Sequence, residues 1–153
     1  MKLELKVPPA VVMFVFMILM FFVSKLFSQH NIDFIFQIFV AVELFFTGLM
    51  IIGAGVYIFN EKNTTVNPLN PEKSSKLVEE GIYKFTRNPM YLGMAIILIS
   101  FGVYLGNIFN VINIILFVLY MNKYQIIPEE KALTQLFGDE FIAYKSKVKR
   151  WLL

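Results

Sequence analysis

The chain has no cysteine and a single histidine, His30, so disulfide frameworks, thiolate zinc sites, a cysteine nucleophile and a histidine metal cluster are excluded together. Charge is scarce as well: 16% of the residues are Asp, Glu, Lys or Arg, against roughly 25% in an ordinary soluble domain. There is no Gly-rich dinucleotide fingerprint, no internal repeat and no low-complexity tract. What is present is apolar. Of 153 residues 58% are hydrophobic, with 17 Phe and 8 Met, and the mean hydropathy is +0.66. A chain of this kind buries more surface than its ordering costs, which excludes disorder, and its composition excludes a typical soluble globular protein. Its length suits a single domain, 1–153.

Three long stretches account for the composition. Val7 to Ser24 is 18 residues without a charge, and Phe34 to Asn60 is 27 residues carrying only Glu43. Against a hydrocarbon core about 30 Å thick, both read as membrane-spanning helices. Asn88 to Asn122 has 35 uncharged residues, which as one helix would run about 52 Å and overshoot a bilayer. It must turn back, and Gly102, Gly106, Asn107 and Asn110 mark the place. The expectation is an all-α integral membrane protein of four transmembrane helices, at about 8–27, 34–59, 89–105 and 108–124, the last two a tight hairpin.

Lysine and arginine divide unevenly between the two sides of this arrangement. Lys2 and Lys6, the segment between the second and third helices, and the segment after the fourth hold 13 of the 14, leaving only Lys25 opposite. By the positive-inside rule both termini face the cytoplasm, as in a multi-pass protein of the plasma (inner) membrane. The net charge of +3 then reflects topology and anionic lipid, not nucleic acid. A signal peptide is the weaker reading of the start, because bulky residues near Lys25 leave no small-residue cleavage site.

From Asn60 to Glu80 the composition shifts to Asn, Thr, Ser, Pro and charge, so 60–88 reads as a loop on the cytoplasmic face. After the fourth helix, Pro128 suits the first position of a new helix, with Glu129 and Glu130 near its positive dipole end. Leu133, Leu136 and Phe137 follow at helical spacing, Gly138 is a stop, and Asp139 suits a cap before Phe141, Tyr144 and Val148. Amphipathic C-terminal helices over 129–148 are therefore expected. His30 reads as a solvated loop residue.

Few residues can carry chemistry. Arg87 lies at the mouth of the third helix and Glu129–Glu130 beyond the fourth, so a hairpin returns all three to one membrane face. An Arg fork binds a carboxylate, and Glu binds an ammonium or ribose hydroxyls, so the set suits a zwitterionic ligand. Taken alone, such an Arg also snorkels and such Glu residues also cap a helix. Glu43 falls near mid-membrane, where a carboxylate is by default a functional-site candidate, although a bond to Thr47 or to a neighbouring helix explains it equally well.

Leu77-Val78, Gly81-Ile82-Tyr83 and Arg87-Asn88-Pro89-Met90-Tyr91-Leu92-Gly93, followed beyond the hairpin by Pro128-Glu129-Glu130, Leu133, Phe137-Gly138 and Tyr144, resemble the isoprenylcysteine carboxyl methyltransferase family and the related phospholipid methyltransferases. The resemblance covers about half the chain, from Thr64 to Val148. It implies an integral-membrane methyltransferase using S-adenosylmethionine, with Leu77, Val78, Tyr83, Asn88, Pro89, Met90, Tyr91 and Glu129 as cofactor contacts. It implies also that Arg87, Asn88 and Glu130 form the catalytic group.

Two departures matter. Asn88 stands where many members have His, and Asn cannot shuttle a proton near neutral pH. Gln125 stands where eukaryotic prenylcysteine enzymes carry an Arg for the substrate carboxylate. With Gln125 and Glu43 as the substrate-side candidates, the expected acceptor is a lipophilic thiol or amine entering from the bilayer rather than a carboxylate. Membrane lipid is the other partner, and neither metal nor nucleic acid is expected. A membrane reductase using NADPH and a non-catalytic membrane subunit or carrier are the rival readings.

Overall fold

The computed structural model describes residues 4–27, 34–62 and 74–152, and among them every regular element is helical. The helices are α1 (Pro9–Leu26), α2 (Phe34–Glu61), α3 (Pro89–Tyr104), α4 (Asn110–Met121), α5 (Ile127–Phe137) and α6 (Asp139–Lys147). A 3-10 turn, Gly81–Lys84, precedes α3, and a π turn, Asn122–Ile126, joins α4 to α5. The expectations that fall on His30 and on the polar loop at 63–73 lie outside the described residues.

Three helical stretches are long and apolar enough to cross a membrane: Pro9–Leu26, Phe34–Glu61 and Asn110–Phe137. α3 has 16 residues and rises about 24 Å, short of the hydrocarbon thickness. Much of its surface is covered by protein. Pro89, Tyr91, Gly93, Ala95, Ile97, Leu98 and Ser100 are all buried, whereas α1 and α2 turn Phe14, Ile18, Phe22, Phe39 and Phe46 outward. Helices apolar on every side belong in lipid.

Small residues let α2 and α3 cross closely. A Cβ on Gly48 would stand 2.8 Å from the Gly93 carbonyl oxygen, and one on Gly93 2.6 Å from that of Gly48, so any side chain at either position forces the helices apart. Higher in the same interface Ser100 Oγ donates to the Ala41 carbonyl at 2.7 Å. The core proper lies between α1, α3 and α4, where Met20, Leu98, Phe117 and Met121 are fully buried and Phe16 meets Phe117 edge to face.

The turn between α3 and α4 uses Gly106 at φ +62 and Asn107, whose Oδ1 accepts from the Phe109 N–H at 3.0 Å. Gly102 stays inside α3, and Asn110 is the first residue of α4.

One expectation is overturned at Pro128. No new helix starts there: Asn110–Phe137 runs as one 28-residue helix, so Glu129 and Glu130 are not at a free N-terminus. Proline lacks the N–H that would bond the carbonyl four residues back, and its ring crowds that carbonyl. The π turn widens the helix just upstream. The freed acceptor, the Tyr124 carbonyl, takes the backbone N–H of Leu5 at 3.1 Å instead, so the N-terminal segment completes the helix that proline would have broken. Gly138 does end α5, at φ +54, but no side chain caps α6.

Candidate active site

The end of the bundle where α2 finishes and α3 begins carries a cavity between the 3-10 turn, the start of α3, α5 and α6. Tyr83 reaches it from the 3-10 turn, its ring 5.3 Å from that of Phe59 on α2, and its carbonyl accepts from the Tyr144 hydroxyl of α6 at 2.7 Å. Burial pushes both phenols well above the ordinary tyrosine range, so both keep their protons at neutral pH.

Arg87 is held from several sides. Its Nη2 pairs with Glu130 Oε1 at 2.5 Å, and its Nη1 donates to the carbonyls of Lys145 (3.1 Å) and Val148. Glu130 in turn receives a two-pronged contact from Arg150, Nε at 2.9 Å and Nη2 at 2.8 Å, with Lys145 Nζ at 3.8 Å. These contacts hold the Arg150 guanidinium above its ordinary range, chiefly through the hydrogen bond to Glu130. The segment after α6 is stitched to the start of α3. The Arg87 N–H donates to Lys149 O (2.9 Å), Thr86 Oγ1 to Arg150 O (3.0 Å) and Asn88 Nδ2 to the same oxygen (2.9 Å). Trp151 Nε1 then reaches Asn122 Oδ1 at 3.1 Å.

Glu129 is the second carboxylate. Its Oε1 accepts from the Tyr91 hydroxyl and from Gln125 Nε2 at 2.8 Å. Gln125, buried within the π turn, lies four residues before Glu129, close enough along the helix for the two side chains to meet. Two buried side-chain atoms lack a partner among the described residues, Tyr83 Oη and Arg87 Nε. Both belong to residues lining the cavity, and buried polar groups are rarely left unmatched unless a ligand or water completes them.

Ten of the sequence candidates come together around this one cavity: Leu77, Val78, Tyr83, Arg87, Asn88, Pro89, Met90, Tyr91, Glu129 and Glu130. Two do not. Gln125, expected to face a substrate, is buried behind Glu129 and spends its amide on that carboxylate. Glu43 is exposed on α2, far from the cavity wall. Sequence reasoning missed Arg150, Lys145, Phe59 and Phe141. Nothing in the spacing separates Arg150 from Lys147 and Lys149; the one available signal was the guanidinium fork, which matches a carboxylate better than an ammonium does. Among the described residues no group of His, Asp and Glu is arranged to hold a metal ion.

The phospholipid methyltransferase family profile matches residues 36–140, taking in α2, both blocks of the cavity and α5. The chain belongs to the phospholipid methyltransferase family. An uncharacterized protein of Haemophilus influenzae is 44% identical over 63 residues, 41% of this chain and 100% of that protein. The protein-S-isoprenylcysteine O-methyltransferase of Schizosaccharomyces pombe is 35% identical over 79 residues, 50% of this chain. That stretch is 32% of the Schizosaccharomyces enzyme's length. No solved structure matches. This phospholipid methyltransferase family member is a membrane protein with membrane-spanning helices, and its buried Arg87–Glu130 pair lines the cavity.

Proposed function

We propose that the chain is an S-adenosylmethionine-dependent methyltransferase acting on a lipophilic acceptor that reaches the cavity from the bilayer. The observation that carries this reading is the pair of orphaned polar atoms, Tyr83 Oη and Arg87 Nε, in the same cavity as the Glu129 carboxylate. The donor set fits the cofactor. Arg87 Nε and the Tyr83 hydroxyl suit its carboxylate, Glu129 suits its ammonium or ribose hydroxyls, and Leu77, Val78, Leu133 and Phe141 form an apolar bed.

When bound, S-adenosylmethionine supplies a methyl group on a sulfonium, ready for in-line displacement. The chain's residues would orient and enclose. Glu130, with Arg87 and Arg150 on its two oxygens, fixes the Arg87 fork, and the Nε of that fork has no partner among the described residues. Tyr91 and Gln125 fix the Glu129 carboxylate in the same way. Asn88 spends its Nδ2 on the Arg150 carbonyl, which makes it a holder of the C-terminal segment and not a proton shuttle. Alignment and exclusion of water account for catalysis of this type.

The acceptor preference follows from the same bonds. Arg87 is taken by Glu130 and by carbonyls, and Lys123 is exposed with its ammonium over the Tyr124 ring. Among the described residues an acceptor carboxylate would find no cation fixed in the cavity, since Lys76 in its lining is exposed, so a thiol or an amine is the better substrate. Purified protein should gain thermal stability with S-adenosylmethionine and with its demethylated product, and not with NADPH, because a ligand that binds only the native state raises its stability. Stabilisation by NADPH alone would favour a reductase; none by any of the three would favour a non-catalytic subunit. The distribution of basic residues supports a cavity on the cytoplasmic face of an inner membrane. Single cysteines at Ile108 and Gln135 should then be labelled from opposite sides of sealed vesicles, with labelling from one side overturning that topology.

A further inference from the structure

α5 serves two spaces. Glu129 and Leu133 line the cavity described above, whereas Lys131, Thr134 and Gln135, neighbours on the helix surface, line a second, open groove of about 460 Å³. Lys145 of α6 and Arg150 of the segment after it complete that groove. Glu130 borders both spaces, taking Arg87 Nη2 at 2.5 Å and Arg150 Nη2 at 2.8 Å. The groove thus sets three cations against one carboxylate that Arg87 also shares, and no other carboxylate pairs with any of the three among the described residues. Positive charge is left over. Donors are left over as well: the Lys131 ammonium, the Gln135 amide and Arg150 Nη1 have no hydrogen-bond partner among the described residues. The side chains of Lys145 and Arg150 are 36% and 38% exposed, so their charges are screened less than those of lysines on open surface.

We propose that this groove binds the phosphate of an anionic lipid headgroup, at a site separate from the cavity. A phosphate diester spreads one negative charge over two oxygens, which suits an ammonium, the free edge of a guanidinium and an amide together. Depth selects lipid as the source of that phosphate. Lys131 stands about 31 Å along the helix from Asn110, close to the thickness of the hydrocarbon layer, so it emerges at the level of the headgroups. A basic pocket beside a membrane helix at that level meets anionic headgroups at high local concentration. The inference rests on Asn110–Phe137 crossing the membrane and is independent of methyl transfer, because Lys131 and Gln135 take no part in the cavity lining.

The test titrates the full chain, in a neutral detergent at low salt, with phosphatidylglycerol, with phosphatidylcholine and with inorganic phosphate. The rise in melting temperature with ligand concentration gives each affinity. Phosphatidylglycerol should bind at one saturable site, and the zwitterionic lipid and free phosphate should bind more weakly. Lys131→Gln should weaken phosphatidylglycerol about fivefold, the effect of one cation at a membrane surface, and Gln135→Glu should weaken it too by placing a like charge beside the phosphate. Lys147→Gln removes the same charge from an exposed position of α6 outside the groove and should leave the affinity unchanged. Unchanged helical circular dichroism and an unchanged melting temperature without ligand show that the variants are folded. Equal affinity for phosphatidylcholine would mean that the groove does not read charge, and equal affinity for inorganic phosphate would mean that it is not a lipid site. Either result, equal weakening by Lys147→Gln, or an affinity indifferent to Lys131→Gln and Gln135→Glu would overturn the proposal.

Discussion

The two ends of the helix bundle both bury polar side chains, and they do so in opposite ways. At the end away from the cavity the groups are neutral. Ser24 Oγ donates to Met20 O, Asn110 Nδ2 to Ser24 Oγ, Asn113 Nδ2 to Asn110 Oδ1 and Asn107 Nδ2 to Phe27 O. Gln37 Nε2 similarly ties α2 to the last carbonyls of α3 at 2.8 Å. Donors and acceptors close on one another, and the result is glue between α1, α2, α3 and α4, with no buried side-chain polar atom at this end left unmatched among the described residues. At the cavity end the groups are ionic, they collect around two adjacent carboxylates, and they leave Tyr83 Oη and Arg87 Nε unmatched. Neutral, self-satisfied clusters specify packing; a charged cluster with spare donors is organised for something that comes from outside.

The sharpest way to break this contrast is Glu130→Ala. It strips the shared partner from Arg87, whose side chain is only 10% exposed, and leaves a buried charge uncompensated. A loss of about 3 to 5 kcal/mol in unfolding free energy is expected, read as an early thermal transition in detergent. A change below about 1 kcal/mol would mean that Arg87 finds water or carbonyls enough, and that the cluster is surface-like.

Glu129→Gln should act on ligand and not on fold. The amide oxygen still accepts from Tyr91 and Gln125, so stability should hold, while S-adenosylmethionine should bind weaker by about 1 to 3 kcal/mol for the lost charge-assisted bond. Titration calorimetry separates the two. Full affinity with a lowered melting temperature would make Glu129 a structural acceptor, like the amides at the other end.

Asn110→Leu carries the smallest expected effect. Interhelical hydrogen bonds in membrane proteins average about 0.6 kcal/mol, so stability should fall by less than about 1 kcal/mol and ligand affinity should be unchanged. An affinity loss here would show that the two ends are coupled through α4, and the contrast between them would fail.

Helix positions were legible in the chain because hydropathy is a local sum. Runs such as Val7–Ser24 and the stretch around Gly106-Asn107 declare spans and a turn without reference to anything distant. The two blocks of the site were legible through resemblance, and their meeting followed from turning the chain back at that point. Arg150 was not legible, since its partner Glu130 is 20 residues away and only folding distinguishes it from the lysines beside it. Gln125 was read as facing a substrate, and its hydrogen bond to Glu129 appears only in the fold.

The sequence by itself therefore determined that this is a helical membrane protein and which of its segments are apolar enough to cross. Each of these depends on composition summed along a local stretch. Tertiary structure decided the rest. It made Pro128 an interior residue, because the Leu5 N–H takes the Tyr124 carbonyl that proline leaves unbonded. It turned Gln125 onto Glu129 and Glu43 onto the outer face of α2. Those outcomes depend on which distant group supplies a hydrogen bond or closes a face, and such partners are chosen only when the chain has folded.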